Sequence, residues 1–245
     1  MRRRTSLVTA VAATALLAAG CGLTDDGPRP GLAAEVEGQS LQLDKVDRAL
    51  TDYCGLLASE EGTPTYSKAA LRSQLAWNWA QAIAVEELAP SYGVELPTSV
   101  ETSVVERSWK VSRDDESFDS FEWLTWIGQR LDQPLVEIGT RSLRDLDTTG
   151  QQPAPQAAQT AGLDLVDEWL EEHDVELNPV FGPRDAEQNA FLGDALSVAV
   201  SGRAKQGDTL ALPVQTQEEA NAKLAELPAN ELCGRPVEAQ PAPVG

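Results

Sequence analysis

One stretch of the chain decides the fold: SKAALRSQLAWNWAQAIAVEELAP, residues 67–90. Apolar side chains recur along one helical stripe at every fourth position: Leu71, Leu75, Trp79 and Ile83. Pro90 ends the pattern, because proline lacks a backbone N–H donor and clashes with the preceding turn. The stretch therefore predicts a long helix from about Ser67 to Ala89, which needs neighbouring elements to cover its stripe.

Apolar positions spaced three and four residues apart predict another helix before this one. It follows a strand-like piece, residues 32–41, which turns at Glu37-Gly38. The apolar face of this first helix is formed by Leu43, Val46, Leu50, Tyr53, Cys54 and Leu57. A short extended element followed by an amphipathic helix thus opens the fold.

Four more helices and one last short helix are predicted downstream. A third is opened by Pro97 and runs to Trp109, and a fourth follows the acidic run Asp114–Glu116, whose charges suit a helix N-terminus. The inward stripe of the fourth helix is Phe118, Phe121, Leu124, Ile127 and Leu131. The remaining predicted elements are a fifth helix at 134–146, a sixth at 157–173, extended segments at 175–182 and 196–200, and a short helix at 217–226.

These patterns predict a mostly α fold. It is a single helical domain of about six helices over residues 32–234, with a small extended or β element near its N-terminus and in its C-terminal part. A chain of 245 residues with 42% hydrophobic content is large and apolar enough to bury such a core. Residues 235–245, rich in proline, are predicted to be a disordered tail.

The charge of the chain restricts its partners. The formal net charge is −20, and three of the basic residues, Arg2, Arg3 and Arg4, lie at the N-terminus, so the rest of the chain is more acidic still. Such a surface repels phosphate backbones and anionic lipid headgroups. Nucleic acid is therefore excluded as the expected partner.

The first twenty residues have the composition of an export signal. The arginines precede an apolar stretch, Leu7–Ala19, which as a helix rises about 20 Å and falls short of the roughly 30 Å hydrocarbon core of a membrane. The stretch ends in LLAAGC, residues 16–21. This motif closely resembles the bacterial lipobox, whose cysteine becomes the first residue and carries fatty acyl chains such as palmitate.

The lipobox resemblance implies a lipoprotein. We expect a signal peptide at 1–20, lipid attachment at Cys21, a tether at 21–31 rich in Gly, Pro and Asp, and a location at the cell membrane on its extracytoplasmic side. The alternative is an ordinary secretory signal cut at Ala10-Val11-Ala12, with Cys21 a plain thiol. A twin-arginine signal is also compatible with Arg3-Arg4, although Sec export fits the remaining pattern better.

Three cysteines are an odd number for an exported chain. If Cys21 carries the lipid, Cys54 and Cys233 are the one pair left, and a disulfide between them is predicted in an oxidising compartment. It would fasten the C-terminal segment to the first helix. The alternative is two buried thiols that act as small apolar side chains.

Residues for catalysis or metal binding are sparse. His173 is the single histidine, and its place at the end of a predicted helix favours a structural role near the helix dipole. Paired carboxylates at Glu86-Glu87 and Asp114-Asp115 could serve an acid-base reaction, yet adjacent carboxylates in so acidic a chain usually form solvated surface. We therefore expect no enzyme activity, no catalytic residues, no metal and no cofactor.

The six tryptophans outnumber the four phenylalanines and the three tyrosines. Trp77, Trp123 and Trp126 lie off the predicted core stripes, and Trp123 and Trp126 share one helix face. Broad helix faces could bury all three. The functional interpretation is an exposed aromatic surface that binds apolar segments of another polypeptide.

Several motifs resemble a family of chaperones. AEVEG, residues 34–38, before the first helix is similar to the opening of the SurA-type N-terminal domain, and EELAPSYGV, residues 86–94, resembles the end of its next helix. The segment 100–109 matches the position of its third helix, and NPVFG, residues 178–182, resembles a segment that follows its last helix. The resemblance covers about 35–183 and includes no parvulin isomerase domain.

This resemblance implies a peptide-binding module of the SurA, PrsA and trigger-factor type without isomerase activity. The expected function is a lipid-anchored, holdase-like chaperone that binds unfolded or partly folded exported polypeptides, with Trp77, Trp123 and Trp126 as the binding residues. The alternative is a cell-envelope binding or assembly lipoprotein with one specific protein partner. In either case the partners are the membrane, through the lipid, and other polypeptides.

Overall fold

The helix predicted from residues 67–90 lies at the centre of the fold. In the structure, a computed structural model, it is helix α2 and spans Lys68–Leu88. Every side chain from Trp79 to Val85 is buried, so the helix is covered on all sides and not along one stripe alone. A helix whose central turns are buried on every side belongs in the middle of a bundle.

The structure describes residues 31–146, 152–181, 184–185, 190–191, 222 and 224–235. Within them it is mostly α, with six α-helices, as the sequence predicts. The helices are α1 (Leu43–Ser59), α2 (Lys68–Leu88), α3 (Thr102–Trp109), α4 (Phe118–Leu131), α5 (Gln133–Leu146) and α6 (Pro155–Glu172). The strands are β1 (Leu32–Val36), β2 (Gln39–Gln42), β3 (Tyr66–Ser67), β4 (Val175–Leu177), β5 (Arg184–Asp185), β6 (Ala190–Phe191) and β7 (Leu232–Cys233).

A small antiparallel sheet covers one end of the bundle, in the strand order β2-β1-β4. β1 and β2 form a hairpin whose turn residues, Glu37 and Gly38, have φ values of 49° and 77°. On its other side β1 pairs with β4, so that Ala34 stands opposite Leu177. Parts of the segments predicted to be extended at 32–41 and 175–182 are therefore strands of one sheet.

Helix α1 continues directly from β2 and packs on α2. The backbone N–H of Leu43 donates to the carbonyl of Gly31 at 2.8 Å, which holds the start of the helix beside the first described residue. An ion pair joins α1 to α2, with Nη2 of Arg72 2.7 Å from Oδ2 of Asp47. The apolar face predicted for this helix is buried at Val46, Leu50, Cys54 and Leu57.

Helix α3 begins later than predicted. It starts at Thr102, and Glu101 before it is extended, with φ −75° and ψ 128°. Pro97 thus does not open the helix, because Thr98 and Ser99 follow it and their hydroxyls favour turns over helix. α3 buries Val105 against Phe118 and Phe121 of α4.

Helices α5 and α6 touch through their backbones. A Cβ atom on Gly139 would stand 1.9 Å from the carbonyl oxygen of Ala158, and one on Gly162 would stand 2.3 Å from that of Leu135. Both distances are far below van der Waals contact. Glycine at these two positions is what lets the helices approach so closely.

The C-terminal segment is fastened to α1 and β3. A disulfide joins Cys54 to Cys233, with the two Cα atoms 4.6 Å apart, as predicted from the cysteine count. β7 pairs with β3, and Cys233 stands opposite Tyr66. Arg235, the first residue of the predicted tail, donates a hydrogen bond of 3.2 Å from its Nε to the carbonyl of Ala58.

Several predictions lie outside the described residues. These are the signal peptide at 1–20, Cys21 with nearly all of its tether, the strand at 196–200 and the tail after Arg235. Of the predicted helix at 217–226, residues 222 and 224–226 are described and are helical. Among the described helices, none combines the length and the apolar character that crossing a membrane requires.

Candidate binding cleft

The three tryptophans singled out in the sequence have different surroundings. Trp77 and Trp123 are each 6% exposed and belong to the main core, whereas Trp126 is half-buried beside it. The expectation of an exposed aromatic surface is therefore wrong for Trp77 and Trp123. The physical reason is that α2 and α4 each pack against several elements, so side chains off the predicted stripe are buried as well.

Two of these tryptophans nevertheless meet at a cleft between α1 and α4. The cleft has a volume of about 700 Å³. α4 contributes Trp123 and Trp126 together with the carboxylates of Asp119 and Glu122, and the first turns of α1 contribute charged side chains. The members from α1 are Asp44, Lys45 and Arg48. The cleft thus combines indole rings with charges of both signs.

Lys45 sits over one of the indole rings. Its Nζ lies 5.3 Å from the ring centre of Trp123, a distance at which a cation is attracted to the ring face. Burial lowers the pKa of Lys45, while the nearby charges of Asp119 and Glu122 act in the opposite direction and stabilise its ammonium. The cleft therefore already holds a positive charge between an indole and two carboxylates.

The other indole of the cleft, that of Trp126, contacts an arginine that forms an ion pair with α2. The guanidinium carbon of Arg130 lies 4.2 Å from the ring centre of Trp126, and Arg130 is only 4% exposed. Its Nη2 is 2.6 Å from Oε1 of Glu86 on α2, and its Nε donates to the same oxygen at 2.7 Å. This pair ties α4 to α2 and places the Arg130 guanidinium against the Trp126 ring.

A larger groove runs along α5 and α6. Its volume is about 1010 Å³, and four glutamines and two arginines are among the residues that line it. The guanidinium of Arg141 is already occupied there, because its Nη1 donates to the carbonyls of Tyr92 and Gly93 at 2.6 and 2.8 Å. This arginine serves the packing of α5 and is not available to a ligand.

His173 and Glu86, which were considered for catalysis, make contacts that stabilise the fold. His173 caps the end of α6, where its ring stacks on Trp169 at 3.9 Å and its Nδ1 lies 2.6 Å from the Trp169 carbonyl. Glu86 binds Arg130, whereas Glu87 is exposed, so the two adjacent carboxylates lie in different environments. In the described part of the chain, no group of three or more His, Cys, Asp or Glu side chains is placed to hold a metal ion.

Sequence patterns alone do not single out the charged half of the cleft. Lys45, Asp119 and Glu122 look like ordinary solvated residues of amphipathic helices, in a chain where a quarter of the residues are charged. Their meeting depends on the packing of α1 against α4, which are separated by two helices in the sequence. The one available signal is the pair Trp123 and Trp126, three residues apart on α4.

No known protein family, no curated protein sequence and no solved structure matches this chain. The cleft and the sequence motifs are therefore what supports a function.

Proposed function

We propose that the chain is a non-catalytic, lipid-anchored binding module on the extracytoplasmic side of a bacterial cell membrane, and that it holds a segment of an exported polypeptide in the α1–α4 cleft. The observation that carries the proposal is the cleft itself. Its volume of about 700 Å³ lies within the roughly 300–1,000 Å³ range of ligand sites. Trp126, which is half-buried, supplies apolar contact area, and the charged side chains beside it and Trp123 supply directional contacts.

The extracytoplasmic location is supported by two separate features. The leader with Arg2, Arg3 and Arg4, an apolar stretch and LLAAGC resembles a lipoprotein signal. The disulfide between Cys54 and Cys233 agrees with an oxidising compartment, because such bonds rarely persist in the cytosol. Neither feature depends on the other.

The described surface favours a selective binder over a general holdase. A holdase of the kind that the SurA resemblance implies needs broad apolar area to accept unrelated clients. Within the described ranges, the large hydrophobic side chains that are exposed are Tyr66 and Val180, on β3 and just after β4. The cleft offers charges beside its indoles, and charged groups discriminate between partners through pairs that match or repel.

Peptide binding tests the proposal directly. We expect the purified protein to bind some members of a panel of fluorescein-labelled peptides in a saturable manner, measured by fluorescence anisotropy. Trp126→Ala removes indole contact area from the cleft and is expected to weaken this binding about tenfold. The matched control is Trp169→Ala, which removes a half-buried tryptophan on α6 outside the cleft and should leave binding unchanged. If no peptide binds, or if the two variants lose binding equally, the cleft does not hold polypeptides.

A second measurement separates a holdase from a selective partner. Light scattering measures how far the protein suppresses the aggregation of several unrelated denatured proteins, which is the activity of a general holdase. If the protein is a selective binder, it should suppress aggregation little and bind a few peptides in a saturable manner. Suppression for every client at equal protein ratios, and its loss in Trp126→Ala, would instead establish the holdase.

A further inference from the structure

We propose that the α1–α4 cleft recognises a basic segment, in which an arginine or lysine side chain enters between the Trp123 ring and the carboxylates of Asp119 and Glu122. In the free protein this place is held by Lys45, which the incoming side chain displaces. The inference rests on the proposed function and names the chemistry of the polypeptide bound at the same cleft.

The first argument is that the cleft already accommodates a cation. The Lys45 ammonium stands 5.3 Å from the Trp123 ring centre and feels the charges of Asp119 and Glu122. An indole face is the best aromatic partner for a cation, and a carboxylate strengthens the contact by a charge-assisted hydrogen bond. A cationic side chain of a bound polypeptide would contact the same indole ring and the same carboxylates.

The second argument is that Lys45 is able to leave. The residue is exposed overall, and its ammonium is carried by a flexible four-carbon stem that can swing into water. Burial lowers the pKa of Lys45, which means that its ammonium is incompletely hydrated in the cleft. Release into solvent restores that hydration, which offsets part of the cost of displacement.

Arginine fits the place better than lysine does. A guanidinium is planar, stacks on an indole and is more weakly hydrated than an ammonium, so it loses less on entering. It can also bind a carboxylate through two parallel N–H donors. The order of preference at this position is therefore arginine, then lysine, then apolar residues, then acidic ones.

The charge of the whole chain supports the same ligand. A formal net charge of −20 repels acidic segments and raises the local concentration of basic ones. Around the cleft Asp44 already faces a cation of the chain, since its Oδ2 lies 3.5 Å from Nη2 of Arg48. Asp119 and Glu122, whose charges act on Lys45 in the free protein, are the carboxylates that the departure of Lys45 leaves to the ligand.

The test uses the full-length protein and three fluorescein-labelled peptides that differ only in a central residue: arginine, leucine or glutamate. Anisotropy titrations are expected to show the arginine peptide binding about tenfold more tightly than the leucine peptide, and the glutamate peptide most weakly. Raising the ionic strength should reduce this preference, because salt screens exposed charges.

Variants of the chain identify the groups responsible. Asp119→Asn combined with Glu122→Gln should weaken the arginine peptide about tenfold and leave the leucine peptide unchanged. The matched control, Asp164→Asn with Glu168→Gln, removes two exposed carboxylates one turn apart on α6 and should change neither peptide appreciably. Lys45→Met removes the competing cation and should tighten binding of the arginine peptide, an effect that a variant which merely unfolds cannot produce.

Three outcomes contradict the inference. Tightest binding of the glutamate peptide, abolished by Lys45→Met, would make the cleft an anion site. Equal binding of the three peptides, with sensitivity to Trp126→Ala, would overturn the basic preference and leave the proposed function standing. Failure of all three peptides and of the wider panel to bind would overturn both.

Discussion

Gly139 and Gly162 bring the backbones of α5 and α6 into direct contact, since a Cβ on Gly139 would overlap the carbonyl oxygen of Ala158 at 1.9 Å. Gly139→Ala is therefore expected to push the two helices apart. Overpacking of this kind should lower the free energy of unfolding by about 3 kcal/mol. Urea denaturation followed by tryptophan fluorescence measures the change.

The control for that variant is another glycine inside a helix. A Cβ on Gly55 of α1 meets nothing within 4 Å, so Gly55→Ala removes backbone freedom without a clash. It should raise the free energy of unfolding by about 0.5–1 kcal/mol. Effects of the same sign at Gly139 and Gly55 would contradict the close crossing of α5 and α6.

The disulfide between Cys54 and Cys233 is expected to stabilise the fold by closing a long loop. Replacing both cysteines by alanine, or reducing the bond, should lower the free energy of unfolding by about 2–5 kcal/mol. Urea denaturation with and without a reducing agent gives the difference. The double variant serves as the control because it should not respond to the reducing agent, and a response in it would mean that the loss has another cause.

The ion pair of Arg130 and Glu86 holds α4 to α2 under Trp126. Glu86→Gln leaves the Arg130 charge nearly buried without a carboxylate, and we expect it to cost about 2–3 kcal/mol, since the Glu86 side chain keeps 29% exposure. Adding Arg130→Met should restore part of this loss, because the unpaired charge is then gone. Thermal and urea unfolding of the unchanged protein, of Glu86→Gln and of the double variant measure the loss and its partial recovery.

An exposed ion pair provides the comparison. Arg48 and Asp44 on α1 are 64% and 74% exposed, and Arg48→Gln should change the free energy of unfolding by about 0.5 kcal/mol or less. If Arg48→Gln lowers the free energy of unfolding as much as Glu86→Gln does, burial does not determine how much each ion pair stabilises the fold.

Cys21 is expected to carry the lipid that anchors the chain. Cys21→Ser should move the protein from the membrane fraction to the soluble fraction and remove the acyl mass from the mature chain. The variant with Cys54 and Cys233 both replaced by alanine should stay at the membrane, since those residues serve the fold. A mature chain that begins after Ala12, with Cys21 unmodified, would establish an ordinary secretory signal instead.

The helices were predictable because their signals are local. The stripe through Leu71, Leu75, Trp79 and Ile83 and the proline at position 90 predict α2 to within a residue at each end. The disulfide followed from the cysteine count once Cys21 was set aside. Each of these predictions needs only nearby residues or a simple count.

The surroundings of the tryptophans were not predictable in the same way. The pattern on α2 shows one apolar stripe, but Trp77 is buried as well because α1, α4 and α6 cover the other sides of the helix. The cleft likewise depends on a tertiary contact, which brings Lys45 of α1 over Trp123 of α4. Periodicity assigns a face to a helix and does not tell which neighbour that face meets.

The bond between Cys54 and Cys233 also determines how the protein bears mechanical load. It spans 179 positions in the sequence and closes the chain from α1 to β7 into a covalent ring. Tension applied through the two chain ends enters this ring at Cys54 and leaves at Cys233, so it bypasses α2 through α6. An anchored protein pulled from its C-terminal end would therefore keep the ring from α1 to β7 closed, even after the contacts of β1 and the first turns of α1 with the central helices are broken.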